Sequence, residues 1–290
     1  MNIIGTGLSG LVGSRVVELL QPEFQFENLS LETGFDITHT DAVMDRIGKS
    51  HASWVFHFAA TTDLEAAEKE RQLGQNSKTW RVNVGGTRNV VQAAYASKKH
   101  VLYLSTDFVF DGESGPYTEQ SRPNPQSWYA ITKYEGEKLV SGMGEGGLIV
   151  RIAFPYKAGR VGRESFLHRI VDLMMQGKTI QSPNDQLFMP TLIDDIARAM
   201  SVLVSGAASG IYHVVSPQAL SPYEAARKIA AAYGLDAALV VQVSSAEYYK
   251  DRAPRPFHAV LKHDKIDALG IRIRSFDEGL ALIKSQESEV

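Results

Sequence analysis

Hydrophobic positions in the first half of the chain switch repeatedly between two periods. Short apolar runs at 2–5, 24–29, 53–58, 101–105 and 148–152 read as strands. Between them the apolar residues recur at helical spacing. Leu11, Val12, Val16, Leu19 and Leu20 form one face over 10–20, a short helix is predicted over 40–47, and longer ones cover 75–97 and SWYAITKYEGEKL (127–139). Strands that alternate with helices imply right-handed crossovers and a parallel sheet covered on both faces. Such a sheet binds ligands beyond the C-terminal ends of its strands.

After residue 153 the rhythm loosens. Helical stretches near 163–176, 193–204, 221–233 and 275–285 are separated by loops carrying Pro183, Pro190, Pro217, Pro222, Pro254 and Pro256. This predicts two regions. Residues 1–153 form a nucleotide-binding domain, with elements near 185–215 returning to its sheet. Residues 154–290 form mainly a smaller, irregular substrate lobe. The polar tail SQESEV is expected to fray.

Composition narrows the function classes. The 290 residues carry a net charge of −3 with the basic residues scattered, so no stripe for nucleic acid or anionic lipid is present. There is no cysteine, which excludes disulfides, thiolate zinc sites and cysteine nucleophiles. A strand beginning at Asn2 leaves no room for a signal peptide, and no apolar run approaches the roughly 20 residues of a membrane span. A soluble, cytoplasmic protein is expected. The eight histidines show no ligand spacing, and no catalytic metal is predicted.

Candidate chemistry sits at two places. In IIGTGLSGLVGSRVVELL, Thr6 precedes Gly7, Gly10 and Gly13 between a strand and a helix. A dinucleotide pyrophosphate needs a tight turn, close backbone approach and free amides at a helix start. An acid at the end of the second strand would bind the 2′-hydroxyl of NAD, whereas an arginine would suit NADP. The candidates are Glu27 and Asn28, and no Arg or Lys follows before Asp36, so the balance leans to NAD.

The second place is the tyrosines. Tyr95–Lys99, Tyr129–Lys133 and Tyr134–Lys138 all have the Tyr-x-x-x-Lys spacing, which puts both side chains on one helix face. Context separates them. The strand VLYLS ends in Ser105-Thr106-Asp107, where a parallel sheet presents ligand-binding groups, and Tyr129 opens the helix that follows. Tyr134 lies about 140° around that helix and cannot serve the same site. An ammonium one turn from the Tyr129 phenol is expected to lower its pKa.

Here the sequence resembles the extended short-chain dehydrogenase/reductases, which have a Rossmann-type doubly wound parallel sheet. It is most similar to the dTDP-4-dehydrorhamnose reductase family. The similarity runs through TGLSGLVG (6–13), FDITHTDAV, FAATTDLEAAE (58–68), RVNVGGTRNV (81–90), STDFVFDGESGPYTE (105–119) and YAITKYEGE. It continues through DQLFMPTLIDDIA (185–197), GIYHVVSPQALSPYEAARKIA (210–230) and RPFHAVLKHDKIDALGI (255–271). The resemblance implies Thr106, Tyr129 and Lys133 as the catalytic set. Tyr129 would be the general acid, Thr106 would donate to the same oxygen, and Lys133 would hold the nicotinamide ribose. It implies NAD(H) or NADP(H), without choosing, at Thr6, Gly7, Gly10, Leu11, Val12 and Gly13. Asp36 and Ile37 would lie near the adenine, Ala59 and Ala60 where the cofactor crosses a strand end, and Asn83 as a brace. Thr106, Asp107, Tyr129 and Arg255 would meet a nucleotide-sugar substrate, and a homodimer is common in the family.

The chain also departs from the pattern. Gly5 stands where a strand hydrophobe is usual, 68–80 is longer, and RIAFPY (151–156) lacks the family's Trp. Two other readings stay open. One is epimerase or dehydratase chemistry, although Phe108 stands where a dehydratase carries Glu. The other is a cofactor-binding regulatory subunit such as the partner of methionine adenosyltransferase.

Overall fold

The computed structural model describes residues 1–159 and 163–288. Its centre is a six-stranded, all-parallel sheet in the order β2-β1-β3-β4-β5-β9. Here β1 is Asn2–Thr6, β2 Gln25–Leu29, β3 Trp54–His57, β4 His100–Thr106, β5 Gly147–Ile152 and β9 Gly210–His213. Between β1 and β2 lies α1 (Leu11–Leu20), and between β2 and β3 lies α2 (Thr40–Lys49). From β1 the chain steps outward to β2, then returns across β1 to β3. That reversal opens a crevice at the strand ends between β1 and β3, the usual ligand position in such sheets.

Alternation along the strands builds two cores. Ile3, Phe56, Leu102 and Val150 face α1 and α8 (Ile193–Ser205). Their neighbours Ile4, Val55, Val101 and Ile149 face α2 and α5 (Thr87–Ala96). Arg15 of α1 reaches Asp194 of α8 at 2.7 Å and ties the first of these layers together. Gly5 is explained by this packing. A Cβ there would meet the buried Leu8 side chain at 2.7 Å, so Leu8 fills the place of the missing strand hydrophobe.

Between β3 and β4 the chain differs from the single helix expected over 75–97. A short α3 (Leu64–Lys69), unmarked in the sequence reading, is followed by a 3₁₀ turn (Arg71–Asn76) that takes up the longer 68–80 segment. Then come α4 (Lys78–Trp80), a π-helical segment Arg81–Gly86 and α5 without interruption. After β4, α6 (Trp128–Ser141) starts at Ser127, whose Oγ accepts from the Ala130 amide at 3.3 Å.

Among the described residues beyond β5, β9 alone rejoins the main sheet. β6 (Pro155–Tyr156) pairs with β8 (Thr191–Leu192), and β7 (Ile180–Pro183) with β10 (Val240–Val243). α7 (Phe166–Met175), α9 (Pro222–Tyr233) and the C-terminal helix Phe276–Ser288 enclose a third core around Tyr156, Leu167, Phe188, Ile229 and Phe276. α9 begins where Pro222 follows a Ser221–Glu224 capping box. The segment SQES is helical in the structure. The helix runs to Ser288, and the Tyr233 hydroxyl donates to Glu287 at 3.0 Å; residues 289 and 290 lie outside the described residues.

Candidate active site

A cavity of about 660 Å³ lies over the crevice. Its floor is the glycine loop. Gly7 has φ +71, and a Cβ there would stand 2.5 Å from the Ala59 backbone nitrogen. A Cβ on Gly13 would stand 2.6 Å from Leu8 Cα. Both glycines let backbone approach backbone. α1 starts at Gly10 with no side-chain cap and no acid in its first turn. Its first amides are therefore uncapped at the cavity wall, where they favour an anion. Leu11, Val12, Ala59 and Ala60 line the same floor.

Thr6 lies beneath this floor, fully buried, and begins a chain of hydrogen bonds. Its hydroxyl contacts His57 Nδ1 at 2.7 Å, and His57 Nε2 contacts Thr87 Oγ1 at 2.8 Å. Thr87 spends its single hydroxyl hydrogen on the Asn83 carbonyl at 2.6 Å, so it must accept from His57 Nε2–H. His57 therefore carries a proton on Nε2. Burial first, then the nearby Lys133, holds its pKa down to about 3.

Asn83 sits in the π-helical segment and does not line the cavity. Its Oδ1 accepts from the Thr61 amide at 2.8 Å. Its Nδ2 donates to the Thr61 carbonyl at 3.1 Å and to Thr132 Oγ1 at 3.0 Å. Thr132 in turn donates to the Tyr129 carbonyl at 2.7 Å. Asn83 therefore fixes the loop after β3 to the first turn of α6.

The cavity end expected to take the adenine is built from the loop after β2. Asp36 and Ile37 both line the cavity. Asp36 Oδ1 accepts from the Thr38 amide and hydroxyl, each at 2.8 Å, and the amide bond chiefly keeps its pKa low. Ile37 is buried against Gly86 and offers its carbonyl to Asn89 Nδ2 at 2.9 Å. Neither candidate for the ribose, Glu27 or Asn28, is among the cavity-lining residues. Glu27 pairs with Arg46 away from the cavity, and Asn28 does not line it. Glu32 lines it instead, on the 3₁₀ turn Leu31–Thr33 that ends at Gly34 in the left-handed region. Lys78, Phe154 and Arg163 are further lining residues that the sequence reading did not single out.

At the other end Thr106, Tyr129 and Lys133 share the cavity wall. Thr106 closes β4 and caps the turn Asp107–Val109, its Oγ accepting from the Phe108 amide at 3.2 Å. Tyr129 is half-buried on the first turn of α6. The expected lowering of its pKa by Lys133 is not found. Burial, and then the charge of Asp107, raise the phenol well above its ordinary value, with the Thr106 hydrogen bond opposing them. Lys133 Nζ lies 4.0 Å from the centre of the Tyr103 ring instead. Its burial lowers its own pKa to about 7 against the pull of Glu137.

The other two Tyr-Lys pairs lie elsewhere. Tyr134 packs against a separate apolar cluster with Lys138 4.6 Å from its ring centre, and Tyr95 is exposed. Arg255 does not line the cavity. It pairs with Glu65 of α3 at 2.7 Å and stacks on Tyr249. Among the described residues no group of three or more His, Asp or Glu could hold a metal ion, and no helix is long and apolar enough to cross a membrane.

Fold and site together define a dinucleotide-binding α/β protein with a Tyr-x-x-x-Lys pair at the crevice. The chain belongs to the family described as RmlD substrate binding domain, which matches residues 1–288. It is 31% identical to a dTDP-4-keto-6-deoxy-D-glucose reductase of Streptomyces niveus, over 89% of this chain and 88% of that protein. The dTDP-4-dehydrorhamnose reductase of Bacillus anthracis, solved in complex with NADP, superposes with a TM-score of 0.89 at 28% identity, covering 98% of this chain and 99% of that one. Methionine adenosyltransferase 2 subunit beta of Rattus norvegicus is 27% identical over 94% of this chain and 84% of its own length.

Proposed function

We propose that this protein is an NAD(P)H-dependent reductase of a nucleotide-linked 4-keto sugar. The observation that carries the reading is the shared cavity. The glycine loop stands at one end and Thr106, Tyr129 and Lys133 at the other. The reductases of this family similar to the chain support it. Gly7, Gly10, Leu11, Val12 and Gly13 would hold a dinucleotide pyrophosphate, Asp36 and Ile37 would flank the adenine, and Ala59 and Ala60 would leave room between them. A reduced nicotinamide, when bound, supplies the hydride.

The chain's own groups do the rest. Tyr129 stays protonated at neutral pH because burial holds its proton, so it is in the acid form that a developing alkoxide needs. Thr106 donates to the same oxygen, an oxyanion-type contact. Lys133, one turn along α6 on the same cavity wall, would hold the nicotinamide ribose through its amine. Arg255, turned to Glu65 here, would have to exchange partners to reach a substrate diphosphate.

The test is oxidation of NADH and of NADPH with dTDP-4-dehydrorhamnose, using the native protein and Tyr129→Phe. Tyr129→Phe is expected to lower kcat by about 10²–10⁴ while leaving cofactor affinity intact. Full turnover in that variant would remove Tyr129 from the mechanism. The similarity to the methionine adenosyltransferase subunit supports a second reading as a regulatory protein. It predicts cofactor binding, no turnover of any keto sugar, and a partner enzyme retained in a pull-down.

A further inference from the structure

Asp107 follows Thr106 and opens the turn at the end of β4, with 1% of its surface exposed. Its Oδ1 lies 3.0 Å from Thr106 Oγ1, and its buried Oδ2 has no hydrogen-bond partner. No cation compensates it among the described residues. From α6 it faces the Tyr129 phenol, a neutral group. Lys133, one turn on, lies over the Tyr103 ring, and Arg151 of β5 is committed to Glu137 through bonds of 2.8 and 2.7 Å. An ionised carboxylate with one orphaned oxygen is costly in such a place, and the neutral acid is the cheaper form.

The hydrogens of Thr106 make that protonation matter. A threonine hydroxyl has one hydrogen and two lone pairs. One lone pair takes the Phe108 amide. An ionised Asp107 can only accept, so it would claim the single Thr106 hydrogen and leave none for a substrate carbonyl. The Thr106 hydroxyl donates to Asp107 Oδ1 across this 3.0 Å contact, and a neutral Asp107 can reverse the bond by donating its own proton. The Thr106 hydrogen is then released from Asp107 and can turn to the Tyr129 oxygen beside it or to a substrate oxygen.

We propose that Asp107 is a positioning residue held as a neutral carboxylic acid, and that its proton turns the Thr106 hydroxyl toward the substrate oxygen. The identity of that oxygen rests on the reductase reading; the place of the proton does not. Two further effects act in the same direction. A hydroxyl that receives a hydrogen bond is a stronger donor. A neutral Asp107 also removes the charge that raises the Tyr129 phenol, making Tyr129 a better acid. Burial, opposed by the bonds from Thr106 and two backbone amides, sets the Asp107 pKa at about 7, so the switch falls within the working range of pH.

The first test is difference infrared spectroscopy of the full chain with aspartate labelled with carbon-13. A protonated carboxyl band at about pH 6 is expected, titrating away near neutrality and absent in Asp107→Asn. Should Asp107→Asn not fold, Thr106→Val is the second variant, and it is expected to shift the band. A wild-type protein with no such band overturns the proposal, whether or not it reduces any sugar.

The second test is the pH dependence of kcat. In Asp107→Asn, whose amide can donate to Thr106 at every pH, kcat at about pH 6 should stay within about threefold of the wild type, and the loss of activity between pH 6 and 8 should flatten. In a Thr106→Val background the Asp107 change should no longer alter the profile. An unchanged profile in Asp107→Asn assigns the loss to Lys133 and overturns the switch. A fall beyond about thousandfold with cofactor still bound makes Asp107 itself a proton donor, which also overturns the positioning role. No turnover by the wild type, with the infrared band present, removes the reductase reading and leaves the protonated Asp107 standing.

Discussion

Helix α6 serves two buried polar regions one turn apart, and they are built in opposite ways. Around Glu137 every group is matched. Glu137 accepts from Ser105 Oγ at 2.6 Å and from two nitrogens of Arg151. The remaining Arg151 nitrogen Nη1 meets His213 Nε2 at 3.3 Å, and His213 Nδ1 donates to the Lys262 carbonyl at 3.0 Å. Around Lys133 the groups are left short. Asp107 has an orphaned oxygen, Lys133 has an aromatic ring in place of a carboxylate, and Tyr129 is held far from its ordinary acidity. Both regions are buried, so burial alone does not tell them apart. A matched network stores its charges in bonds and fixes the strands. An unmatched set keeps its proton-bearing atoms available, which is where perturbed groups mark chemistry.

Breaking the matched region should give the largest effect. Arg151→Ala leaves Glu137 buried and uncompensated, and is expected to destabilise the fold by about 3–5 kcal/mol in urea denaturation. Removing both charges with Glu137→Leu and Arg151→Met should restore much of that loss. A cost for Arg151→Ala below about 1 kcal/mol would erase the distinction drawn between the two regions.

Next in size is Gly13→Ala. Its Cβ would meet Leu8 Cα at 2.6 Å and the Gly7 carbonyl oxygen at 2.7 Å, so the loop must move. Overpacking of this kind costs about 1–3 kcal/mol. Cofactor-dependent elevation of Tm should shrink more than the Tm of the free protein does. Equal shifts would mean the loop shapes the fold but not the binding site.

Much of the sheet and of the cavity floor was legible because local pattern carries it. Three glycines between a strand and a helix mark the loop, and the strand end at Thr106 picks Tyr129 over Tyr95 and Tyr134. What was not legible depends on residues far apart in sequence. His57 reads as one more residue of an apolar strand. Its role comes from Thr6 and Thr87, brought to either side of it by β1 and α5. The short helix Leu64–Lys69 spans too few residues to show a period. Phe154 lines the cavity at φ +38, a strained position for a non-glycine residue that no pattern announces.

A smaller effect tests the matched polar groups through pH. His57 and His213 are both held neutral, with burial the main cause and pKa values near 3. Unfolded histidines titrate at about 6.5. The unfolded chain therefore binds more protons between those values, and stability falls as the pH drops below about 6.5. Each histidine should remove on the order of 2 kcal/mol between pH 6.5 and 5. His57→Gln keeps polar contacts to Thr6 and Thr87 without titrating, and should flatten part of that slope. An unaltered slope would place the acid sensitivity elsewhere.

The smallest expected effect concerns the adenine end and sharpens which groups a binding wall needs. β2 ends at Leu29, and the exposed turn that follows puts Glu32 on the cavity while Ser30 through Asp36 contains no Lys or Arg. A carboxylate near an adenosine ribose accepts from a 2′-hydroxyl and repels a 2′-phosphate. Exposure screens that repulsion to about 1 kcal/mol. Lys78 also lines the cavity and acts on Asp36, so one cation is near enough to soften the discrimination further. Glu32→Ala is therefore expected to raise the kcat/KM ratio of NADPH to NADH by about two- to fivefold, chiefly through KM. Lys78→Ala should lower the same ratio. If Glu32→Ala leaves the ratio where it was, the carboxylate does not reach the ribose, and the preference is set by Ser30 and the backbone of the turn instead.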